Sequence, residues 1–385
     1  MRPSAGATAQ VVAPSLPPEP RSLETVRAHV RRLSYLAPLR QREPSLAYVG
    51  WLGYGNAGDE ALLDAFRLAF SDRPVSHVSH EKLLWLARAT GMLRGRVAGV
   101  VLGGGTLIGH PTFRRHLEWL LQAVPGQPSF ALGTGVLDPA FPDRPRDEAE
   151  HELKRWLPLL HRLKRVSMRG PLSRELLATL GVDARIVGDP ALLLRPPLAT
   201  PREDHHVLGL NVGLTFNAWG SDSDRLLRSI VAVGRDWTAA GGRVELFPMW
   251  GPDVSLSREA AGRIGGHVSV FTRFAEVDTL LSRLQRCHVF VGMKLHSIVL
   301  AAAAGVPGVM IEYQPKCRDF HASVGRERFT LRSDELDPER LRELTSAVTA
   351  DRDEQAAELA TAVDEHRAAL AREVAEVNSI LLSAR

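Results

Sequence analysis

A lysine and a histidine two positions apart follow a short apolar segment late in the chain. Residues 289–292 form that segment, Lys294 and His296 come next, and a run of mostly small residues extends over 297–305. We predict a strand that ends at Gly292 and a helix over 297–305. Helix N-termini attract anions through unpaired amides and the helix dipole. Lys294 adds a fixed charge and His296 a group that titrates near neutrality, so this turn predicts an anion site capable of proton transfer.

Apolar segments that run into glycine-containing loops recur along the whole chain. We predict strands at 45–50, 95–102, 128–132, 165–168, 184–187, 207–212, 244–248, 267–271, 288–292 and 309–313. Helical patterns lie between several of them, including 61–70, 172–180 and 224–240. Loops follow the strands of the first half at 51–60, 103–106, 133–135, 169–171 and 188–190. This alternation is typical of parallel sheets with helices on both faces, in which ligands bind at the carboxyl ends of the strands.

A shift in composition over 194–204, with several prolines and a run of charged residues, predicts a linker between two domains. We therefore predict an α/β fold with two Rossmann-like, doubly wound parallel-sheet domains that face a cleft. The predicted units are a disordered tail at 1–22, an N-terminal domain at 23–195, a C-terminal domain at 205–334, and helices at 335–385 that pack across or beside the domains.

Composition excludes several classes of function. The 385 residues are 44% hydrophobic and 24% charged with a net charge of +4, and the charges are interspersed, which argues against nucleic-acid binding. Two cysteines, Cys287 and Cys317, are too few for a disulfide framework or a zinc cluster, and a cytoplasmic location is expected. We find no metal-ligand spacing and no apolar run long enough to span a bilayer, although peripheral membrane contact stays open.

Five ordered motifs resemble those of the polysaccharide pyruvyl transferase family. The matching segments are 53–61, 103–105, 169–173, 188–191, and 294–297 together with 305–307 and 313–316. The resemblance implies a GT-B-like fold and transfer of the carbon skeleton of phosphoenolpyruvate onto a sugar as a ketal, with release of phosphate. It implies cell-envelope or exopolysaccharide biosynthesis, a saccharide acceptor that can be lipid-linked, and no cofactor beyond the donor. The family more often has arginine where this chain has Lys294, which keeps the charge but loses the bidentate fork.

The reaction implied by this resemblance assigns roles to particular residues. Lys294, Lys316 and Arg169 can hold the phosphate and carboxylate of the donor. His296 is the candidate proton donor to the methylene carbon, or it hydrogen-bonds the phosphate as leaving group. Asp59 or Glu60 can accept a hydroxyl proton from the acceptor sugar. The predicted substrate-binding set is completed by Asn56, Gly104, Gly105 and Ser297.

Each of these residues also has a structural alternative. Asn56 and Asp59 can cap a helix, the glycines at 103–105 can form a tight turn, and Arg169 can form a salt bridge between domains. The segment 188–190 is interpreted as structural, with Asp189 fixing a turn. Two aromatic residues, Trp219 and Trp250, can stack on a sugar or simply pack in the cleft wall.

Two other functions stay open at this point. A glycosyltransferase of the same architecture would use a nucleotide sugar, and Glu312 could then bind the ribose. A non-catalytic relative would bind phosphoenolpyruvate or a saccharide without turnover.

Overall fold

The computed structural model describes residues 33–78, 81–197, 206–214, 217–220 and 222–384, with only the backbone described at 81–84. The predicted tail at 1–22 lies outside these residues, and so does most of the helix that the apolar spacing predicts over 23–39. Within them, three short 3-10 helices occur at Ala37–Arg40, Pro190–Leu193 and Glu327–Phe329.

The first sheet is entirely parallel. Its strands are β1 (Ser45–Val49), β2 (Val75–His77), β3 (Val97–Leu102), β4 (Gly105–Ile108), β5 (Ser129–Val136), β6 (Arg165–Met168) and β7 (Arg185–Ile186). The helices between them are α1 (Ala57–Ala69), α2 (Glu81–Thr90), α3 (Pro111–Ala123), α4 (Arg146–Leu160) and α5 (Pro171–Thr179). The strand order is β2-β1-β3-β5-β6-β7, and β4 pairs with the end of β5.

The second sheet is also entirely parallel, in the order β10-β9-β8-β11-β12-β13. Its strands are β8 (Val207–Asn211), β9 (Arg243–Leu246), β10 (Val268–Val270), β11 (Val289–Gly292), β12 (Gly308–Glu312) and β13 (Thr330–Arg332). The helices are α6 (Ser223–Ala239), α7 (Asp253–Ile264), α8 (Val277–Leu284), α9 (Leu295–Ala303), α10 (Pro315–Ser323), α11 (Pro338–Ala350) and α12 (Arg352–Ser383). The prediction of two parallel-sheet α/β domains is confirmed.

Burial explains why the central strands are continuous apolar runs. All residues of β1, β3, β5, β8, β11 and β12 are buried, because helices cover both faces of each sheet. The strand order reverses direction between β1 and β3, and again between β8 and β11. Such reversals open a crevice at the carboxyl ends of the strands, so each domain presents its loops there.

Three predicted boundaries were wrong in ways that affect the site. Helix α1 begins at Ala57, not at residue 61, because the side chain of Asn56 caps it. The predicted loop at 133–135 is part of β5, because β4 pairs with that end of the strand and extends the ladder. Helix α9 begins at Leu295, which puts His296 inside the helix. The short strands β2, β4 and β13 were not predicted.

Helix α12 joins the two domains. Its first half packs Leu359 into the core of the second domain, and its second half packs Leu370 and Leu381 into that of the first. Glu373 accepts two hydrogen bonds from Arg165 on β6, each 2.8 Å long. Neither this helix of 32 residues nor any other helix in the described part of the chain is long and apolar enough to cross a membrane.

Candidate active site

The carboxyl-end loops of the two sheets face each other and touch directly. The amide of Ala57, at the start of α1, donates to the carbonyl of Met249 after β9 at 2.8 Å. The indole of Trp250 donates to the carbonyl of Tyr54 at 3.0 Å. These contacts bring the loop before α1 against the second domain, so side chains from both domains meet at this junction.

An asparagine at the end of β8 shapes the turn between β11 and α9. The Asn211 carbonyl oxygen accepts from the amides of Met293 and Lys294, at 3.3 and 2.8 Å. Its amide nitrogen donates to the carbonyl of Phe247 at 2.7 Å. Because this side chain is fully buried and bonded on both sides, it holds the backbone of Lys294 in one position.

The Lys294 ammonium lies among oxygens of its own domain. It donates to the carbonyl of Leu214, and it lies 3.9 Å from Oδ1 of Asp253. The same carboxylate oxygen accepts from the Leu214 amide at 2.8 Å. Burial lowers the pKa of Lys294, and the charge of Asp253 opposes that shift. The sequence did not predict this acidic neighbour, which partly balances the lysine.

His296 lies in the first turn of α9 with its ring against Gly58 of the other domain. A Cβ atom at Gly58 would come within 2.3 Å of Nδ1, so only glycine leaves room for the ring. Nε2 is 3.8 Å from Oδ2 of Asp189, and neither atom has a hydrogen-bond partner among the described residues. Burial, with the charges of Arg169 and Lys316, lowers the pKa of His296 to about 3, so the imidazole is neutral near pH 7.

Arg169 follows β6 and is completely buried at the domain junction. Its Nη2 donates to Oγ1 of Thr106 at 3.2 Å and lies 3.5 Å from Oδ2 of Asp319. Its Nη1 is 4.0 Å from Oδ2 of Asp189, and neither Nε nor Nη1 has a hydrogen-bond partner in the described chain. Burial raises the pKa of Asp189 to about 6, against the opposing charge of Arg169. Asp189 and Asp319 therefore balance the charge of the guanidinium, but they leave Nε and Nη1 without hydrogen-bond partners in the described chain.

Asp319 on α10 caps a helix of the other domain. One carboxylate oxygen accepts from the amides of Leu172 and Ser173 at the start of α5, at 3.0 and 3.2 Å. The other accepts from the Ser173 hydroxyl at 2.6 Å. A carboxylate at a helix N-terminus satisfies amides that have no partner inside the helix. Asp319 thereby holds the two domains together beside Arg169.

Replacing Asp319 by alanine should lower the free energy of unfolding by about 3 kcal/mol, because it leaves Arg169 and three donors without their buried acceptor. Asp337 is the matched control, since it caps α11 on the surface through the amide of Arg340. Asp337→Ala should cost about 1 kcal/mol. Urea denaturation of both variants measures the difference, and equal losses would contradict a clamp between domains.

Lys316, in the first turn of α10, differs from the other cations. It forms no salt bridge with any described residue, and its ammonium lies 4.8 Å from the centre of the Tyr313 ring. Burial lowers the pKa of Lys316 to about 8, and the neighbouring positive charges of Lys294 and Arg169 contribute. A half-buried lysine whose charged form is destabilised in this way is a natural partner for an added anion.

Asp59 is half-buried in the first turn of α1, opposite these cations. Burial raises the pKa of Asp59 to about 7; Lys316 and Lys294 oppose the shift, whereas Glu60 and Asp189 add to it. The carboxyl group therefore exchanges its proton near neutral pH. That is the property that general acid–base catalysis requires.

Three of the predicted site side chains hold local structure. Glu60 accepts from the Tyr35 hydroxyl at 2.5 Å and from the Gly53 amide at 3.3 Å. Asn56 accepts from the amide of Gly58 at 2.9 Å. The Ser297 hydroxyl donates to the carbonyl of Lys294 at 2.7 Å. The contact of Asn56 matches its structural alternative, a helix cap. The contacts of Glu60 leave Asp59 as the freer of the two predicted acids.

Gly104 and Gly105, the two predicted glycines, have structural roles in packing and in backbone conformation. A Cβ at Gly104 would lie 2.4 Å from the Leu62 side chain, so that position needs glycine for packing against α1. Gly105 has φ +92°, in the left-handed region that favours glycine, and it begins β4. Whether either backbone also contacts a ligand stays a prediction.

Sequence reasoning missed most of the acidic residues of the site. Asp189 was interpreted as a turn residue, and one oxygen does accept from the Ala191 amide at 3.0 Å, but the other faces His296. Asp253 and Asp319 carried no motif. His110, just before α3, was also missed; burial, Arg144 and Lys316 lower its pKa to about 4. A histidine four residues beyond the predicted glycine loop at 103–106 was the available signal.

The two tryptophans named from the sequence both lie at the junction. Trp250 bonds to the first domain as described above. Trp219 packs its ring edge-on against Phe141 of the first domain, with 4.9 Å between ring centres, and the Arg332 guanidinium lies 4.2 Å from its ring centre. These contacts give both side chains packing roles in the cleft wall.

Solved structures with a similar fold identify the class of architecture. They include a UDP-glucosyltransferase from Polygonum tinctorium, with 12% identity, TM-score 0.57, and coverage of 88% of this chain and 98% of that one. A putative UDP-N-acetylglucosamine 2-epimerase from Listeria monocytogenes has 11% identity and TM-score 0.56, with coverage of 88% and 96%. At such low identity the likeness shows the fold alone, which is the GT-B-like arrangement of two domains.

The family follows from a different comparison. The family model described as polysaccharide pyruvyl transferase matches residues 56–315. Because the match covers well over half of the chain, this protein belongs to the polysaccharide pyruvyl transferase family, and the resemblance seen in the sequence is confirmed. A comparison with curated proteins finds no sequence match.

Proposed function

We propose that this protein transfers the pyruvyl group of phosphoenolpyruvate to two hydroxyls of a saccharide as a ketal. The observation that carries the proposal is the position of Lys316. It is a half-buried ammonium without a carboxylate partner in the described chain, close to Lys294 and Arg169 and opposite a carboxyl group with a pKa of about 7. Membership of the family supplies the class of reaction.

The donor carries a phosphate and a carboxylate, and the site offers cations from both domains. Lys316 and Lys294 come from the second domain, and Arg169 comes from the first. An anion beside Lys316 would stabilise its charged form and raise its pKa back toward the ordinary value. The acids near Lys294 and Arg169 hold these cations in place at 3.5–4.0 Å, a separation that leaves donors for a ligand.

The reaction balances in atoms and charge without a redox partner. Two acceptor oxygens form bonds to C2 of phosphoenolpyruvate, the bond from C2 to the phosphate oxygen breaks, and C3 gains a proton to become a methyl group. The two acceptor hydroxyls lose two protons. One is added to C3, and the other leaves with the phosphate as hydrogen phosphate. In this proposal the Asp59 carboxylate accepts a hydroxyl proton.

His296 then acts together with the donor phosphate. In the free protein its imidazole is neutral and donates or accepts without a charge. A phosphate dianion bound beside it would favour the protonated form, because opposite charge raises the pKa of a histidine. The residue then hydrogen-bonds the leaving phosphate and is the candidate for delivering the proton to C3.

Gly58→Ala tests whether the position of His296 matters. The added methyl group would meet the imidazole at 2.3 Å, so the ring must shift. We expect kcat/KM for pyruvyl transfer to fall about 100-fold, since a displacement of about 1 Å has that effect in other sites. Gly262→Ala in α7 is the control, because a Cβ there meets nothing within 4 Å. Equal activity of both variants would rule out a positional requirement.

The nucleotide-sugar alternative gains no specific support at its predicted ribose ligand. The carboxylate of Glu312 accepts two hydrogen bonds from Arg318, at 2.7 and 3.0 Å, and the residue is buried. A ribose at this carboxylate would have to displace that guanidinium.

Incubation of the full chain with phosphoenolpyruvate and candidate saccharides tests the proposal. We expect phosphate release that depends on the saccharide, and a pyruvate ketal of the acceptor detectable by mass spectrometry. Thermal unfolding should shift upward with phosphoenolpyruvate and not with UDP. Stabilisation by UDP, without any response to phosphoenolpyruvate, would overturn the proposed donor and favour a nucleotide-sugar enzyme.

A further inference from the structure

Helix α2 and the turn after it expose large apolar side chains on the first domain. Trp85 is 66% exposed, Leu86 41% and Met92 51%, whereas Ala87 and Leu93 point into the core. We call residues 85–96 the α2 surface. A tryptophan, a leucine and a methionine exposed together form an apolar patch of the kind that marks an interaction site.

The only charged residues within the α2 surface are arginines. Arg88, Arg94 and Arg96 are all exposed, and residues 85–96 contain no acid. Arg96 donates to the carbonyl of Leu39 at 2.9 Å, so the segment 39–43, exposed at 40–43, lies alongside. That segment adds two arginines and one glutamate. The apolar patch is therefore bordered by positive charge.

The α2 surface lies away from the cleft. Ala87 and Leu93 share a core cluster with Leu117 and Leu120 of α3. Residues 91–96 lead directly into the amino end of β3, whereas the candidate active site lies at the carboxyl ends of the strands. Docking through the α2 surface would therefore leave the loops of the cleft uncovered.

We propose that the α2 surface docks on an anionic lipid bilayer. Trp85, Leu86 and Met92 enter the interfacial region, and the bordering arginines contact lipid phosphates. This is how amphipathic helices with basic flanks bind membranes, with tryptophan at the boundary between water and lipid. A second copy of the chain is a poorer occupant, because a symmetric contact between α2 surfaces would bring arginines together with no acid in either surface.

Co-sedimentation of the full chain with vesicles tests the docking. We expect binding to vesicles that contain anionic lipid, weak binding to purely zwitterionic vesicles, and release at high salt. Arg88→Gln/Arg94→Gln should lower the partition coefficient about 25-fold, or about fivefold for each charge removed. Trp85→Ser/Leu86→Ser/Met92→Ser should lower it at least about tenfold.

Leu68→Ser/Leu382→Ser is the matched control. These leucines are 56% and 59% exposed, on α1 and α12, which pack on the opposite face of the first sheet. The control should bind vesicles like the unchanged protein, and circular dichroism verifies that every variant is folded. Absence of vesicle binding by the unchanged protein overturns the proposal. So does a triple variant that keeps vesicle binding but loses self-association in light scattering, since the surface would then join two copies.

Discussion

Lys316→Ala should lower kcat/KM for pyruvyl transfer by about 100- to 1,000-fold, the range seen when one preorganised charge partner of a reacting group is lost. In the free protein this ammonium has no carboxylate partner among the described residues, and burial holds its pKa near 8. An anionic donor supplies the missing partner. Removal of the ammonium therefore removes binding that no neighbouring acid compensates.

Two further measurements separate this role from a general loss of structure. The thermal shift produced by phosphoenolpyruvate should disappear in Lys316→Ala and return in part in Lys316→Arg, which restores the charge. Lys154→Ala, at an exposed position of α4, should behave like the unchanged protein. If Lys316→Ala kept both the thermal shift and the rate, the donor would have to bind elsewhere.

Asp59→Asn should lower kcat by about 100- to 10,000-fold, because it removes the group that accepts the hydroxyl proton. In the unchanged protein the carboxylate is the active form. Since the pKa of Asp59 is about 7, kcat/KM should rise as pH increases through that value. Lys316 loses its proton above about pH 8, so the profile should fall again there. We therefore expect a bell-shaped dependence of kcat/KM on pH, with its maximum between about pH 7 and about pH 8.

In Asp59→Asn the acidic limb of that profile should vanish, while the limb assigned to Lys316 stays. Asp64→Asn is the matched control, since Asp64 is half-buried on the same helix but faces away from the site cations, and its rate and acidic limb should not change. A full-rate Asp59→Asn variant, or one that keeps the acidic limb, would transfer the proton-accepting role to another residue.

The raised pKa of Asp59 should also make the stability of the folded protein depend on pH. A carboxyl group whose pKa is raised from 3.8 to about 7 on folding binds its proton more tightly in the folded state. Its contribution to stability is therefore greatest below the unfolded pKa and is lost as pH rises toward 7. The amide variant avoids this loss, so the difference in Tm between Asp59→Asn and the unchanged protein should grow from pH 5 to pH 8.

The candidate site is more nearly charge-balanced than its cations alone suggest. Lys294 has Asp253 nearby, and Arg169 has acids from both domains. Buried charges need such partners, because an isolated ion loses its hydration on burial. The separations of 3.5–4.0 Å keep the cations oriented while several buried donors lack hydrogen bonds within the described chain. Lys316 differs from these two cations because it has no salt bridge with any described residue. Binding of an anion beside Lys316 is therefore favourable.

The sequence by itself determined the architecture and the local composition of the turns. Apolar runs that end in glycine loops predict parallel strands buried on both faces, since burial and strand periodicity are local properties of the chain. Lys294 and His296 were predictable for the same reason, because one strand-to-helix turn carries both. The ordered motifs indicated the family, which the match over residues 56–315 confirms.

Only the tertiary structure decided which side chains act together. Asp59 and Glu60 are neighbours in the chain, but successive helix residues differ in direction by about 100°, so one faces the cations and the other bonds Tyr35. Asp319 lies 146 residues beyond Ser173, and its contact with that residue exists only because the domains meet. A pKa depends on burial and on charges distant in sequence, which arise when the two sheets face each other.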